Sequence, residues 1–245
     1  MRKKACEWRD NIKVGHISRS NACLATQTTI MKSLEYPLPA LSLSVQQCAK
    51  ILHPALQGSL AKISINRTIP KALRHGPINE CGLNINNLYT SQGILKLQKF
   101  HQHIGEDSIT GRLLRVSLET CILEARVGRN LFDLDFERFP PLVTNCWIKH
   151  LWESTTNHSI HIVDRSSNFP QIQRVNDVFL IEIFENNNYT VSELKKIKNC
   201  CIYLQVITLS DIMTASGDSF SCTYKVERDT TRNSNQGQSN QVLLA

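Results

Sequence analysis

The chain has 245 residues, a formal net charge of +7 and an isoelectric point near 9.0. Its 41% hydrophobic and 20% charged residues are ordinary for a globular protein, and the length allows one large or two small domains. The charge favours an anionic partner, most commonly nucleic acid. No apolar run reaches the length of a membrane span, and no apolar signal region follows residues 1–4. The sequence therefore predicts a cytoplasmic or nuclear protein without membrane contact.

Three helices are predicted in the first 58 residues. They cover residues 1–14, 18–35 and 45–57, and their short connections favour a small antiparallel bundle. Ser44 is the predicted N-cap of the third helix. Pro54 lies inside that helix and predicts a kink or an early end, because proline lacks the backbone N–H.

A basic, irregular linker is predicted over residues 59–85. A helix from 87 to about 104 follows it, with Asn84 or Asn86 as the expected N-cap.

A second helical domain is predicted over residues 86–214. Its most regular helix spans residues 109–127, with Leu113 and Val116 among the inward positions and Gly128 just after its end. Three further helices are predicted at 142–154, 178–186 and 190–206, the last beginning with a capping box of Thr190 and Glu193. One short strand is predicted at 159–163.

Residues 215–245 are polar and poor in large apolar side chains, which predicts a disordered tail. The predicted fold is mainly α: an N-terminal helical bundle, a second helical domain with at most one or two short strands, and this tail.

The nine cysteines form no C-x-x-C pair, and their number is odd. Structural zinc sites need close ligand pairs that converge on one tetrahedron, and a disulfide framework uses an even number of cysteines. Reduced, mostly buried thiols are therefore expected. The cysteines are Cys6, Cys23, Cys48, Cys81, Cys121, Cys146, Cys200, Cys201 and Cys222.

A search for catalytic residues finds no established constellation. His101 and His103 lie two residues apart on a predicted helix and point to different faces, so they cannot share a metal. Asp133 and Asp135 could share a face of a strand and bind magnesium, but their sequence reads equally as a loop. Nucleophile-elbow and phosphate-loop motifs are missing. We predict a protein that is not an enzyme and has no cofactor or metal.

Basic residues suggest a phosphate-binding surface. Most of them fall in the predicted linker, and a second group lies on the first helix beside Trp8. The alternative is a solvated basic surface, or one that meets an acidic protein. The predicted nucleic-acid contacts are Lys62, Arg67, Lys71 and Arg74, with His75 beside them, and Lys3, Lys4 and Arg9.

The order of these parts resembles the region downstream of the palm in reverse transcriptases of non-LTR-type retrotransposons. It is also similar to retroelement-like polyproteins of protists such as diatoms. The similarity extends over most of residues 1–215. The residues that carry it are Trp8, 29–38, 69–71, 76–77, 81–85, 88–89, 110–119 and 147–152.

The resemblance implies a thumb-like bundle over residues 1–58 and a connection-like domain over 86–214. The chain lacks the Y-x-D-D motif of the palm. In the Gly-Gly-Leu-Gly-Leu motif that lies downstream in the family, the double glycine is here reduced to Cys81-Gly82, and Asn84 replaces the next glycine. The resemblance therefore implies a non-catalytic polymerase fragment that contacts the backbone of RNA or an RNA–DNA hybrid. A decayed reading frame and a helical protein–protein interaction module remain the alternatives.

Overall fold

Helices dominate this protein. The structure is a computed structural model, and strand pairing among its described residues is confined to two isolated bridges, Phe179 with Thr208 and Met213 with Phe220. The prediction of a mainly α fold is confirmed. The predicted strand is absent, because residues 160–163 have no regular structure. The structure describes residues 1–163, 174, 176–214, 216–217 and 219–220.

The chain divides into two compact units, Met1–His103 (unit 1) and Ile104–Ala245 (unit 2). The sequence places the division elsewhere, with a linker over residues 59–85. In the structure that segment belongs to unit 1, because Leu60 and Ile85 are both buried in the core of this unit. Most of the tail predicted to be disordered, 215–245, lies outside the described residues.

Unit 1 contains six α-helices among its residues, all of which the structure describes. Their core is built from Ile30, Leu34, Leu52, Leu56 and Leu88, with other apolar side chains around them. The helices are α1 (Arg2–Val14), α2 (Arg19–Ala25), α3 (Lys32–Glu35), α4 (Val45–Ile63), α5 (Lys71–His75) and α6 (Leu88–His103).

The helix α4 runs through Pro54 instead of ending near residue 57. Ser44 and Gln47 form the capping box that begins it, as the sequence predicts for Ser44. Beyond the proline, Leu56 and Leu60 are buried in the core. Packing of this C-terminal half outweighs the hydrogen bond that proline removes, so the predicted early end is wrong.

A very close contact joins α1 to α4. An added Cβ atom at Gly58 would lie 2.8 Å from the Cα atom of Arg9, so only glycine fits there without movement. Next to it, the indole N–H of Trp8 donates to the hydroxyl of Ser59 at 3.0 Å. Trp8 is therefore an internal packing residue of unit 1.

A wide π turn, Thr26–Met31, joins α2 to α3, so the backbone is helical from residue 19 to residue 35. Such a turn holds one residue more than an α turn. The hydroxyls of Thr26 and Thr28 donate to the carbonyls of Ala22 and Leu24 inside the helix. The predicted helix that begins after Ser18 is confirmed with this one irregularity.

The buried face of α6 is partly polar. Gln92 is 3% exposed, and its amide exchanges two hydrogen bonds with the backbone of Leu43. Lys96 is fully buried, and its ammonium donates to the hydroxyl of Ser42 at 2.8 Å. The N-cap is Asn87, whose side chain accepts from the backbone N–H of Tyr89, and not Asn84 or Asn86 as predicted.

In unit 2, α7 is shorter than predicted. Its N-cap is Ser108, and the helix ends where Arg126 takes a left-handed conformation, so Gly128 is not its terminator. Leu113 and Val116 are 62% and 58% exposed, although the sequence predicts them to face inward. The helices of unit 2 in the described residues are α7 (Ile109–Ala125), α8 (Trp147–Asn157), α9 (Leu180–Asn186) and α10 (Val191–Tyr203).

Two other predictions for unit 2 have different outcomes. The capping box formed by Thr190 and Glu193 begins α10 as predicted. Residues 142–146 are not helical as predicted, and α8 begins only at Trp147 after a short 3-10 turn. None of the described helices has the length and apolar character needed to cross a bilayer.

Candidate nucleic-acid interface

Lys3 and Lys4 lie in the first turns of α1 and are exposed. The Nζ atom of Lys3 is 4.0 Å from the Oε1 atom of Glu7, one turn further along the same helix. An exposed ion pair of this kind contributes little free energy and does not prevent contact with another anion. Both lysines are therefore available to a phosphate group.

Arg9 already has an anionic partner. Its guanidinium donates two hydrogen bonds to the carboxylate of Asp10, at 2.8 and 3.2 Å. The hydrogen bond from Arg9 lowers the pKa of Asp10, which keeps this carboxyl charged. The pair reduces the net charge that Arg9 can offer to a ligand.

Lys62 holds two helices together. Its ammonium donates to the carbonyl oxygen of Gly15 at 2.6 Å, and Gly15 is the C-cap of α1. The last carbonyls of a helix lack intrahelical partners and carry partial negative charge, so a lysine there is favourable. Lys62 thus contributes to the stability of unit 1 through this contact.

Arg67, Lys71 and Arg74 follow α4 on one continuous segment. Arg67 and Lys71 are exposed, and neither makes an ion pair or side-chain hydrogen bond with the described residues. Arg74 is half-buried. Its Nη2 atom donates to the carbonyl of Ile69 at 3.3 Å, and its Nε atom is buried without a partner in the described part of the chain.

A tight backbone loop follows this basic segment. The backbone N–H groups of Leu83 and Ile85 donate to the carbonyls of Leu73 and Arg74, which satisfies the C-terminal end of α5. His75, grouped with the basic residues in the sequence, forms a ring-nitrogen hydrogen bond to the Ile85 carbonyl. The chain between them therefore folds back onto the helix.

Two glycines and two left-handed residues make this return possible. Cys81 and Asn84 have positive φ angles of 62° and 50°. Asparagine tolerates this conformation, whereas cysteine adopts it at some cost in free energy. An added Cβ atom at Gly82 would lie 2.1 Å from the carbonyl oxygen of Gly76, so the two backbones touch.

The seven predicted contacts do not form one cluster. Lys3 lies near the beginning of α1, and Lys62 binds at Gly15 beyond its end. At 1.5 Å per residue, these two positions are about 18 Å apart along the helix. Four of the predicted contacts are exposed cations that donate to no backbone carbonyl in the described residues. They are Lys3 and Lys4 on α1, and Arg67 and Lys71 after α4.

The distribution of charge between the units carries more information than the individual residues. Unit 1 holds 14 of the 28 Lys and Arg residues but only four of the 21 Asp and Glu residues, a net charge of +10. The remaining 14 cations and 17 acids give unit 2 a net charge of −3. All of the positive excess therefore lies in unit 1.

The sequence analysis did not single out several exposed cations of unit 1. Counting charges separately for residues 1–103 would have revealed them, because acids are scarce throughout that range. They are Arg2, Lys13, Arg19, Lys32, Lys50 and Lys99.

Unit 1 also contains a small polar pocket that the sequence did not indicate. Its volume is about 110 Å³, and the amides of Gln27, Asn84 and Asn86 line it together with Lys32. Gln27 donates to the carbonyl of Leu83 at 2.9 Å, and this bond connects the π turn to the glycine loop.

Comparison of the chain with protein-family models, curated proteins and solved structures gave no match. The functional argument therefore rests on the charges and contacts of this chain and on the resemblance in its sequence.

Proposed function

We propose that unit 1 binds nucleic acid through its phosphate backbone, without base specificity and without catalysis. The observation that carries this proposal is the net charge of +10 confined to unit 1. Lysine and arginine side chains that neutralise phosphates release condensed counterions, which drives sequence-independent binding. Arg67, Lys71, Lys3 and Lys4 are the predicted contacts that this proposal retains.

The acidic residues of unit 1 do little to weaken this charge. Three of its four acids, Glu7, Asp10 and Glu35, lie within 4.0 Å of a cation close to them in the sequence. These local pairs leave a large excess of exposed lysines and arginines. A surface with this excess attracts a polyanion over a Debye length of about 10 Å at 0.1 M salt.

An RNA–DNA hybrid is the ligand we propose to test first. The resemblance to a reverse-transcriptase thumb supports this choice, since a thumb contacts the backbone of its template–primer. The indole N–H of Trp8 is hydrogen-bonded to Ser59, and the half-buried ring packs against the core of unit 1. This favours phosphate contact over base recognition.

The test is the affinity of the full chain for a labelled hybrid across a salt series. Replacing both Arg67 and Lys71 by alanine should reduce the slope of log K against log salt by about 1.4 to 1.8, at roughly 0.7 to 0.9 per phosphate contact. Folding should not change, because both side chains are exposed.

The matched control is Lys195→Ala with Lys196→Ala. These lysines are exposed on α10 in unit 2, and their removal changes the net charge by the same amount. An equal loss of slope in both double variants would show that the binding depends only on total charge. Absence of hybrid binding at low salt, with binding to poly-glutamate instead, would favour the protein-interaction alternative.

A further inference from the structure

Two cysteine sulfurs meet in unit 2. The Sγ atom of Cys121 on α7 lies 3.4 Å from the Sγ atom of Cys146, although the two residues are 25 positions apart. Cys121 is 2% exposed, and Cys146 is half-buried. A disulfide bond is about 2.05 Å long, so a small movement of the side chains would bring the sulfurs to bonding distance.

Two polar contacts hold the backbones on either side of this sulfur pair. Glu124, one turn after Cys121, accepts from the backbone N–H and the hydroxyl of Thr144 at 2.6 and 2.8 Å. Lys149 donates to the carbonyls of Pro140 and Val143 at 2.6 and 2.7 Å. The Glu124 bonds attach α7 to the segment before α8, and the Lys149 bonds attach that segment to α8. Together they hold the two sulfur-bearing backbones beside each other.

The two thiols have different electrostatic environments. Cys146 is the N-cap of α8, and its sulfur accepts from the backbone N–H of Lys149. The hydrogen bond from Cys121 and the N–H groups of Lys149 and Ile148 lower the pKa of Cys146 to about 6, against burial and the charge of Glu124. The same bond and burial raise the pKa of Cys121.

The difference between the two thiols favours oxidation to a disulfide. The lowered pKa of Cys146 favours its thiolate at pH 7, while the raised pKa of Cys121 keeps that thiol protonated. The thiolate is the nucleophile in cysteine oxidation, and a buried neighbouring thiol can complete a disulfide. Cys146 is also the more exposed of the two sulfurs.

We propose that Cys121 and Cys146 form a redox-reactive pair that hydrogen peroxide converts to an intramolecular disulfide. The Cys146 thiolate attacks one peroxide oxygen, the O–O bond breaks, and a sulfenic acid and hydroxide form. The Cys121 sulfur then attacks the Cys146 sulfur, the S–O bond breaks, and water leaves with the Cys121 proton. The hydroxide takes a proton from solvent, so the two cysteines lose two electrons and the peroxide becomes two waters.

The other cysteines provide an internal comparison. Burial raises the pKa of Cys48, of Cys200 and of Cys201, the last to about 11. These three are protonated at neutral pH and react slowly with peroxide. Cys200 and Cys201 are adjacent in the sequence. They serve as a control for Cys121 and Cys146, which are distant in the sequence but close in space.

The experiment treats the reduced full chain with one equivalent of hydrogen peroxide at pH 7 and maps the cysteines by mass spectrometry. The expected product is one disulfide between the peptides that contain Cys121 and Cys146, with loss of two hydrogens. A disulfide at Cys200 or Cys201 instead, or no disulfide while other cysteines oxidise, would overturn the proposal.

Variants separate the two roles. Cys121→Ala should leave Cys146 as a sulfenic acid that dimedone traps, and Cys146→Ser should abolish both products. The control Cys23→Ser should behave as the unmodified chain. Circular dichroism checks folding, and if Cys121→Ala does not fold, the half-buried Cys146→Ser variant decides the question.

The alkylation rate of Cys146 with iodoacetamide provides a second measurement. Cys121, Glu124 and Lys149 are the titratable groups that face this sulfur. The rate should reach half of its maximum near pH 6 in the folded chain, against about 8.5 for an ordinary cysteine. A midpoint near 8.5 in the folded chain would contradict the assignment of Cys146 as the attacking sulfur.

Discussion

Units 1 and 2 contain the same number of Lys and Arg residues, 14 each, but use them differently. In unit 2, many of the described cations donate to backbone carbonyls of loops and helix ends. In unit 1, Lys62 and Arg74 do so, while most of the others are exposed. The cations of unit 2 that donate to carbonyls include Arg115, Arg126, Arg138, Lys149, Arg174 and Lys198.

The difference shows that a count of basic residues does not locate a binding surface. A cation that satisfies a carbonyl stabilises the fold, and its removal leaves an acceptor without a partner. A cation that is exposed contributes little to stability and remains available to an anion. Removing an exposed cation of unit 1 should therefore weaken binding and leave stability unchanged. Removing a carbonyl-bound cation of unit 2 should lower stability and leave binding unchanged.

The largest effect should come from the backbone contact beneath the basic segment of unit 1. Gly82→Ala places a Cβ atom where the carbonyl oxygen of Gly76 would be 2.1 Å away. We expect unit 1 to lose about 3 kcal/mol or more of unfolding free energy. Urea unfolding followed by circular dichroism measures the loss.

A matched control for this change is Gly15→Ala, also in unit 1. The nearest atom to an added Cβ there is 3.4 Å away, and the backbone of Gly15 is extended. Its unfolding free energy should change by less than about 0.5 kcal/mol. Equal effects at the two glycines would show that the loop contact is not needed for unit 1.

Lys149→Met tests the structural use of a cation in unit 2. It removes two hydrogen bonds from a charged donor, at 2.6 and 2.7 Å, and keeps most of the apolar stem. The unfolding free energy should fall by about 2 kcal/mol, and the affinity for the hybrid should not change. Lys195→Met, at an exposed position, is the control, and a similar loss there would contradict the distinction.

Lys62→Met should have the smallest of these three effects on stability. It removes one hydrogen bond to the end of α1, which is worth about 1 kcal/mol with the helix dipole included. The salt slope of hybrid binding should stay constant, although the sequence predicts Lys62 as a phosphate contact. If the salt slope of hybrid binding falls as much as in the Arg67 and Lys71 double variant, Lys62 contacts a phosphate as the sequence predicts.

Local signals in the sequence predicted the helices well. Ser44 caps α4 as expected, and Ser18, Ser108 and Thr190 cap their helices in the same way, because a cap joins residues only three positions apart. The extension of α4 from residue 57 to Ile63 could not be predicted in this way. It depends on contacts with α1, whose residues are about fifty positions away in the sequence.

The buried face of α6 was missed for the same physical reason. Gln92 and Lys96 look like surface residues until Leu43 and Ser42 supply their hydrogen-bond partners. The same holds for the proposed interface. Only the tertiary structure shows that the Lys62 ammonium donates to the carbonyl of Gly15. Residue type predicted which side chains are basic, and packing decides which of them remain exposed.

The π turn between α2 and α3 has a consequence for the length of the chain. It accommodates one residue more than a regular α-helix would need, while Ile30 inside it and Leu34 after it still reach the core. Elsewhere in a helix, deletion of one residue rotates everything that follows by about 100°. Within Thr26–Met31 a deletion would restore a regular helix with both flanking faces still directed inward, so this is where the helical part of unit 1 can change its length without changing its packing.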